Sequence, residues 1–406
     1  MRSIKEKRGI TLIALAVTII VILILVGVTI NAVFSENGII NKAKEAANAM
    51  NNAITNDQIE LNELFSELNE VMNGWWSGET GENEDTNQDP EPEKPTDIED
   101  VTDIQDETVT VEDEYGNKVT IPKGFEVVEE EGITVPEGIV IQDANGNQFV
   151  WIPVGRVYKD ASKTNYSDIQ LGRYTFNTTN GTPTPVQLAY TEENPENYNQ
   201  LISIPDNMSG ANCYEYAVRS NPDGIVGGIN AISKNLEAFV DSVKKNNGYY
   251  LARYEASYGS GDSVANYKPL SKVSTGNPRT NSGTALAQGM LWNCINQIDA
   301  AKISRNMYNN DSGLGVESDL VNSYAYDTAI VFIQEMGNAN YANKNDGSMS
   351  LKNTGTTQDK VCNIFDMASN CYEVTTEYSD YTNLSISYSC VIRGGNYFFR
   401  NLFYWK

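Results

Sequence analysis

The clearest feature of the chain is a change in the period of its apolar positions. From Ile10 to Phe34 (ITLIALAVTIIVILILVGVTINAVF) no side chain is charged, and Arg2, Lys5, Lys7 and Arg8 stand before the run. At about 1.5 Å per residue, roughly 20 residues cross a hydrocarbon core, so the run predicts a transmembrane helix over 10–34. The basic flank predicts a cytoplasmic N-terminus and an exported remainder. A cleavable secretory signal has an apolar core of only about 7–15 residues and a small-residue cut site, and fits less well. Over 35–76, Ile39, Ala43, Ala46, Ala47, Met50, Ile54, Leu61, Leu64, Phe65 and Leu68 recur mostly at three- and four-residue steps. That is the pattern of an amphipathic helix, either a stalk leaving the membrane or a helix packed on the distal part.

Residues 77–106 (SGETGENEDTNQDPEPEKPTDIEDVTDIQD) are dominated by Glu, Asp, Pro, Asn, Thr and Gly. Such a composition does not bury enough surface to offset ordering entropy and predicts a disordered acidic linker, extended by like-charge repulsion. Beyond it the period shortens. DEYGNKVTIP (Asp113 to Pro122) and DANGNQFVWIP (Asp143 to Pro153) are similar to each other, each an Asx-Gly turn followed by alternating apolar residues. They predict a duplicated β-hairpin, the first within a 107–148 segment. Later, 288–308 and 323–336 read as helices among strands and Asn/Ser/Gly-rich loops, which predicts an α+β domain over 149–406.

Composition then removes possibilities. The chain of 406 residues carries a formal net charge of −25, which sets long-range repulsion against nucleic acid and anionic lipid surfaces as partners. It contains no histidine, so Ser-His-Asp and Cys-His catalysis and histidine-ligated metal centres are excluded, and enzymatic function is disfavoured. Cys213, Cys294, Cys362, Cys371 and Cys390 show no CxxC spacing. Their odd number leaves buried free thiols and disulfides as alternatives.

The junction KRG followed by ITLIA resembles the class III leader of type IV prepilins and pseudopilins. The resemblance implies a 1–9 leader cut by a prepilin peptidase between Gly9 and Ile10, N-terminal methylation, and a bacterial cell membrane as the site of anchoring. Ala14 stands where family members commonly carry a glutamate that pairs with the neighbouring subunit, which counts against polymerisation into a true pilus.

In the distal part, FVWIPVG (Phe149 to Gly155), GYYLARYEAS (Gly248 to Ser257), NIFDMASNCYEVTTEYS (Asn363 to Ser379) and VIRGGNYF (Val391 to Phe398) resemble the formylglycine-generating enzyme, or sulfatase-modifying factor, family. The resemblance implies a C-type lectin-like fold, so the expected architecture is an N-terminal transmembrane and stalk helix, a disordered linker and an α+β domain of that type. The family's copper-binding thiol pair lies downstream of the RGG strand, where this sequence has no cysteine, and its closing strand is absent, leaving a truncated or a divergent C-terminus. The family also implies a calcium site with carboxylates from Asp366 and Glu373 and carbonyls from Ser369 and Cys371, an oxygen set suited to a hard cation. The same two carboxylates would otherwise bond backbone amides in a turn. No other cofactor is implied.

Near the C-terminus Arg393, Asn396, Tyr397, Arg400, Asn401, Tyr404 and Trp405 mix aromatic and hydrogen-bonding groups. That mixture suits either a ligand-binding surface or an ordinary core. The functional expectation is a membrane-anchored, surface-displayed, non-catalytic ligand-binding or adhesion protein facing an unknown extracellular ligand. A minor pilin assembling with other pilin-like subunits is the alternative, and an extracellular modifying enzyme the third.

Overall fold

The computed structural model describes residues 95–200, 202, 204–205, 212–215, 236–276, 278, 285–309, 312–343, 350–379 and 390–395. All of them fall in the second of two units into which the chain divides, Glu91–Lys406. The expected leader, the 10–34 transmembrane helix, the stalk and the linker up to residue 94 lie outside the described residues. Among the described residues no helix is long and apolar enough to cross a membrane.

Short antiparallel strands dominate this body. Among the described residues they form two four-stranded and five two-stranded sheets. In one four-stranded sheet Gln148–Pro153 lies between Val140–Asp143 and Gly248–Ala252, with Phe125–Val127 at the far edge. The register sets Tyr250 opposite Trp151 and Leu251 opposite Val150. In the other, the order is Ile204–Pro205, Asn212–Glu215, Glu373–Ser379 and Cys390–Arg393.

Helices are few: α1 (Leu236–Asn246), α2 (Gln297–Arg305) and α3 (Ser323–Met336) are the α-helices among the described residues. The expected helix over 288–308 is confined to α2 because Asn296 caps it, its side chain accepting from the Asp299 N–H (2.9 Å). The 323–336 helix has the bounds read from the sequence and is capped by Asn322 in the same way (2.9 Å). Every residue of α3 from Ser323 to Gln334 is buried. A helix apolar around most of its circumference is stable only inside a core, and this one packs against Gly172–Phe176 and the central strand Gln148–Pro153.

The fold class expected above is therefore corrected. The described residues form mostly small antiparallel sheets with few helices, and not the expected α+β domain of C-type lectin type. Alternating apolar residues specify strands, but Asx-Gly turns and glycines cut those strands to two to seven residues, so many small sheets form.

The disordered linker is corrected at its C-terminal end for a related reason. Ile98–Asp100 forms a 3-10 turn, Ile98 is 2% exposed and Val101 fully buried. Backbone bonds Val127 N–H to Val101 O (2.9 Å) and Gln105 N–H to Phe125 O (3.0 Å) fasten this segment to the body. Two aliphatic residues among many acids are enough to anchor a short stretch on an existing core.

The duplicated hairpin is present in atomic detail. Asp113 Oδ1 accepts the N–H groups of Tyr115 (2.9 Å) and Asn117 (2.8 Å), and Oδ2 accepts Asn117 Nδ2 (2.9 Å). Asp143 makes the same three bonds with Asn145 and Asn147 at 2.9, 2.8 and 2.9 Å. Gly116 and Gly146 supply φ of +79° and +75°, which side chains with a Cβ rarely adopt. Each turn also clamps a third segment: Asn117 holds the Tyr158 backbone and Asn147 the Ser271 N–H.

Candidate functional site

A group of buried ionisable side chains comes from residues 353–373 and the bend after Gly248–Ala252. Between Cys362 and Asn370 the chain takes left-handed φ at four non-glycine residues, Cys362 (46°), Asn363 (63°), Asp366 (66°) and Asn370 (62°). Asn and Asp tolerate this region best, and a run of such residues holds only where tertiary bonds overdetermine it. Those bonds are carboxylate bonds. Asp359 Oδ1 accepts from Tyr341 OH (2.9 Å), and its Oδ2 from the Ala368 N–H (3.0 Å) and Ser369 Oγ (2.9 Å). Asp366 accepts from the hydroxyls of Thr354 (2.7 Å) and Thr357. Glu255 accepts the Cys371 N–H (2.8 Å) and Asn370 Nδ2 (2.6 Å).

Glu373 completes the group. Its Oε2 is buried without a hydrogen-bond partner and lies against Gly394, where a Cβ would overlap it. Burial raises Glu255 well above the usual carboxylate range, and the charges of Asp366 and Asp359 add to it. Glu373 is raised by burial and then by Glu255, Asp366 and Asp359. Burial also pushes Asp366 up to about 6, against the pull of the Thr357 and Thr354 hydroxyls. Glu255, Asp366 and Glu373 thus share one negative field, which favours protons on some of the three.

The implied calcium ligands are placed as follows. Asp366 is fully buried with both oxygens taken by hydroxyls, and Ser369 is 1% exposed with its hydroxyl on Asp359. Cys371 and Glu373 are half-buried. The orphaned Glu373 oxygen is the kind of atom a cation would partner. Among the described residues no group of three or more Cys, Asp or Glu side chains is arranged to hold a metal ion, whereas the implied set draws only two side chains, Asp366 and Glu373, with two backbone carbonyls.

Arg393, which the sequence leaves open between a ligand-binding surface and an ordinary core, is fully buried. Its Nη2 bonds Glu377 Oε2 (2.7 Å) and approaches Asp327 Oδ2 (3.5 Å), while Glu377 Oε1 pairs with Arg173. Two arginines and two acids close a buried quartet joining Gly172–Phe176, α3, Glu373–Ser379 and Cys390–Arg393. A guanidinium drawn into the core needs such partners, and the apolar alternation around it in CVIR points it inward. Asn396, Tyr397, Arg400, Asn401, Tyr404 and Trp405, as well as Gly9 and Ile10, lie outside the described residues.

A half-exposed aromatic group was not anticipated. Tyr258, Tyr267 and Trp292 meet edge to face, with ring centroids 5.4–5.7 Å apart. The rings of Tyr258 and Tyr267 come from the two sides of one hairpin, Ser257–Ser260 paired with Lys268–Leu270. Trp292 reaches them because its N–H bonds Ala256 O (2.9 Å). The hairpin was legible in the glycines of YGSGDSVANYK, but the tryptophan's approach was not, since it depends on a contact distant in sequence.

Compared with known protein families, curated proteins and solved structures, the chain matches none.

Proposed function

We propose that this chain is a non-catalytic ligand-binding or adhesion protein, held at a bacterial surface by its N-terminal apolar segment. The observation that carries the reading is the uncharged run Ile10–Phe34 behind Arg2, Lys5, Lys7 and Arg8, which has the length and flanking charge of a single membrane span with an exported C-terminal side. An acidic stretch follows it in the sequence, before the folded body. On that body, the half-exposed rings of Tyr258, Tyr267 and Trp292 offer rigid contact area at low entropy cost, which favours binding over catalysis.

Treatment of intact cells with protease tests the reading. Release of a soluble fragment containing residues 95–406, with the apolar segment retained in the membrane fraction, is the expected result. Protection of the body until the cells are lysed would overturn it. A minor pilin remains the second reading, favoured by the Gly9–Ile10 junction, and recovery of the chain in sheared filaments would select it.

A further inference from the structure

Phe125–Val127 is the outer strand of its four-stranded sheet and pairs on one side with Val140–Asp143. Its other edge is covered by the chain's own segment 96–105. Val127 N–H bonds Val101 O (2.9 Å), Gln105 N–H bonds Phe125 O (3.0 Å) and Gly124 N–H bonds Gln105 O (2.8 Å), so the segment runs antiparallel along the strand. At its start Thr96 O accepts the Glu112 N–H (2.9 Å), and Asp97 bridges Glu112. Uncovered, the strand would present N–H and C=O groups of the kind on which a sheet adds another strand.

The hold on the segment is narrow. Only Ile98 and Val101 of it are buried, while Asp97, Glu99, Asp100 and Asp103 are exposed. Glu99 lines one cavity with Glu129, Glu130 and Glu137, so like charge opposes the hold. Asp106, Glu107 and Thr108, which join the segment to the strand Val109–Glu112, are exposed as well. A strip of chain kept in place by two side chains and edge bonds, with an exposed joint after it, opens at a free energy well below that of global unfolding.

We propose that segment 96–105 is an exchangeable strand, and that the edge of Phe125–Val127, with the seats of Ile98 and Val101, is an acceptor for the same segment of a second copy. The fit follows from identity. A second copy's segment brings the same two aliphatic side chains and the same backbone groups, so each bond of the closed chain is remade between two chains. The exchange is reciprocal, each copy giving its segment to the other, which makes a two-fold dimer by swapping an element and not by building a new surface. In dilute solution the closed chain wins, because a segment joined to its own acceptor acts at an effective concentration of about millimolar. The swapped dimer belongs to crowded chains, and it does not depend on what the body binds elsewhere.

The test mixes two populations of the full chain, one carrying a donor dye and the other an acceptor, in mild detergent at roughly millimolar concentration, and then dilutes them. Energy transfer that persists on dilution is expected, and an excess of the synthetic peptide 95–106 present during mixing should remove it. The same peptide with Ile98→Asp and Val101→Asp should leave the transfer intact. A second measurement is independent of the first. Val101→Asp in the full chain empties the acceptor of its own segment, so this variant should take up fluorescent parent peptide at least about tenfold more tightly than the parent chain does, since no competing segment has to leave. If circular dichroism shows that variant unfolded, the milder Ile98→Ala takes its place. Absence of transfer, or of uptake by the folded variant, would overturn the proposal. So would transfer that the parent peptide leaves unchanged, because the contact between copies would then lie elsewhere.

Discussion

Arg393 shows how much a single residue's role depends on where its side chain ends. Read in sequence it belongs with an arginine- and aromatic-rich terminus suited to a ligand; in the structure it neutralises Glu377 and Asp327 in the core. Removing one member of a buried ion pair strands the other charge, so Glu377→Ala should lower stability by about 3–5 kcal/mol, measured by denaturant unfolding. Arg156→Ala is the control: its bidentate pair with Asp168 is solvent-screened at the surface, and the loss there should be much the smaller of the two. Equal losses at the two sites would mean the quartet contributes no more than a surface pair.

Asp366 carries the residue-scale prediction for pH. Its folded value of about 6 lies above the usual 3.8, so the native state binds the extra proton. Its contribution to stability is complete below about pH 4 and is lost as pH rises through 6, about 3 kcal/mol in all. Glu255 and Glu373 are shifted in the same direction. Glu131 opposes them, because the Arg253 guanidinium lowers it, but its loss of stability falls below the ordinary carboxylate range. The melting temperature should therefore fall between pH 5 and 7.5, and Asp366→Asn should flatten that slope. A parent protein more stable at pH 7.5 than at pH 5 would contradict the placement of these carboxyls.

At the scale of elements, the two Asx turns and α3 are the parts written most plainly in the chain. D-x-x-G-N appears twice, at Asp113–Asn117 and Asp143–Asn147, and folds twice into one bonding pattern because each atom in it is supplied within five residues. Gly146→Ala puts a Cβ on a φ of +75° and should destabilise by about 1–2 kcal/mol, read from the shift in urea midpoint. Its nearest neighbour there is the end of the Lys272 side chain at 3.7 Å, so conformation and not crowding is the cause. Gly276→Ala, also at positive φ but in open space, separates the general cost of a left-handed alanine from any effect special to the hairpin. α1 was not anticipated because its apolar residues Leu236, Val240 and Val243 are interrupted by Glu237, Asp241 and two lysines, a half-buried pattern short enough to be taken for loop.

For the whole molecule, the ordered body begins earlier than composition implies. Limited proteolysis should release a compact fragment starting before Asp97 and not near Glu107, because Ile98 and Val101 are held in the core. Fragments beginning at Glu107 with undiminished melting temperature would show that this segment adds nothing. The sequence by itself determined features whose causes are local: the uncharged N-terminal run, the duplicated hairpins, the α3 helix, the absence of histidine chemistry. Only the tertiary structure decided how the strands divide among many small sheets, that Arg393 turns inward, and that Glu255, Asp359, Asp366 and Glu373 meet although the first lies about a hundred residues before the others. Period and turn chemistry act over a few residues and can be read along the chain. Pairing between distant segments is settled by which arrangement buries the apolar faces while leaving the buried charges partnered, and that balance exists only once the chain is packed.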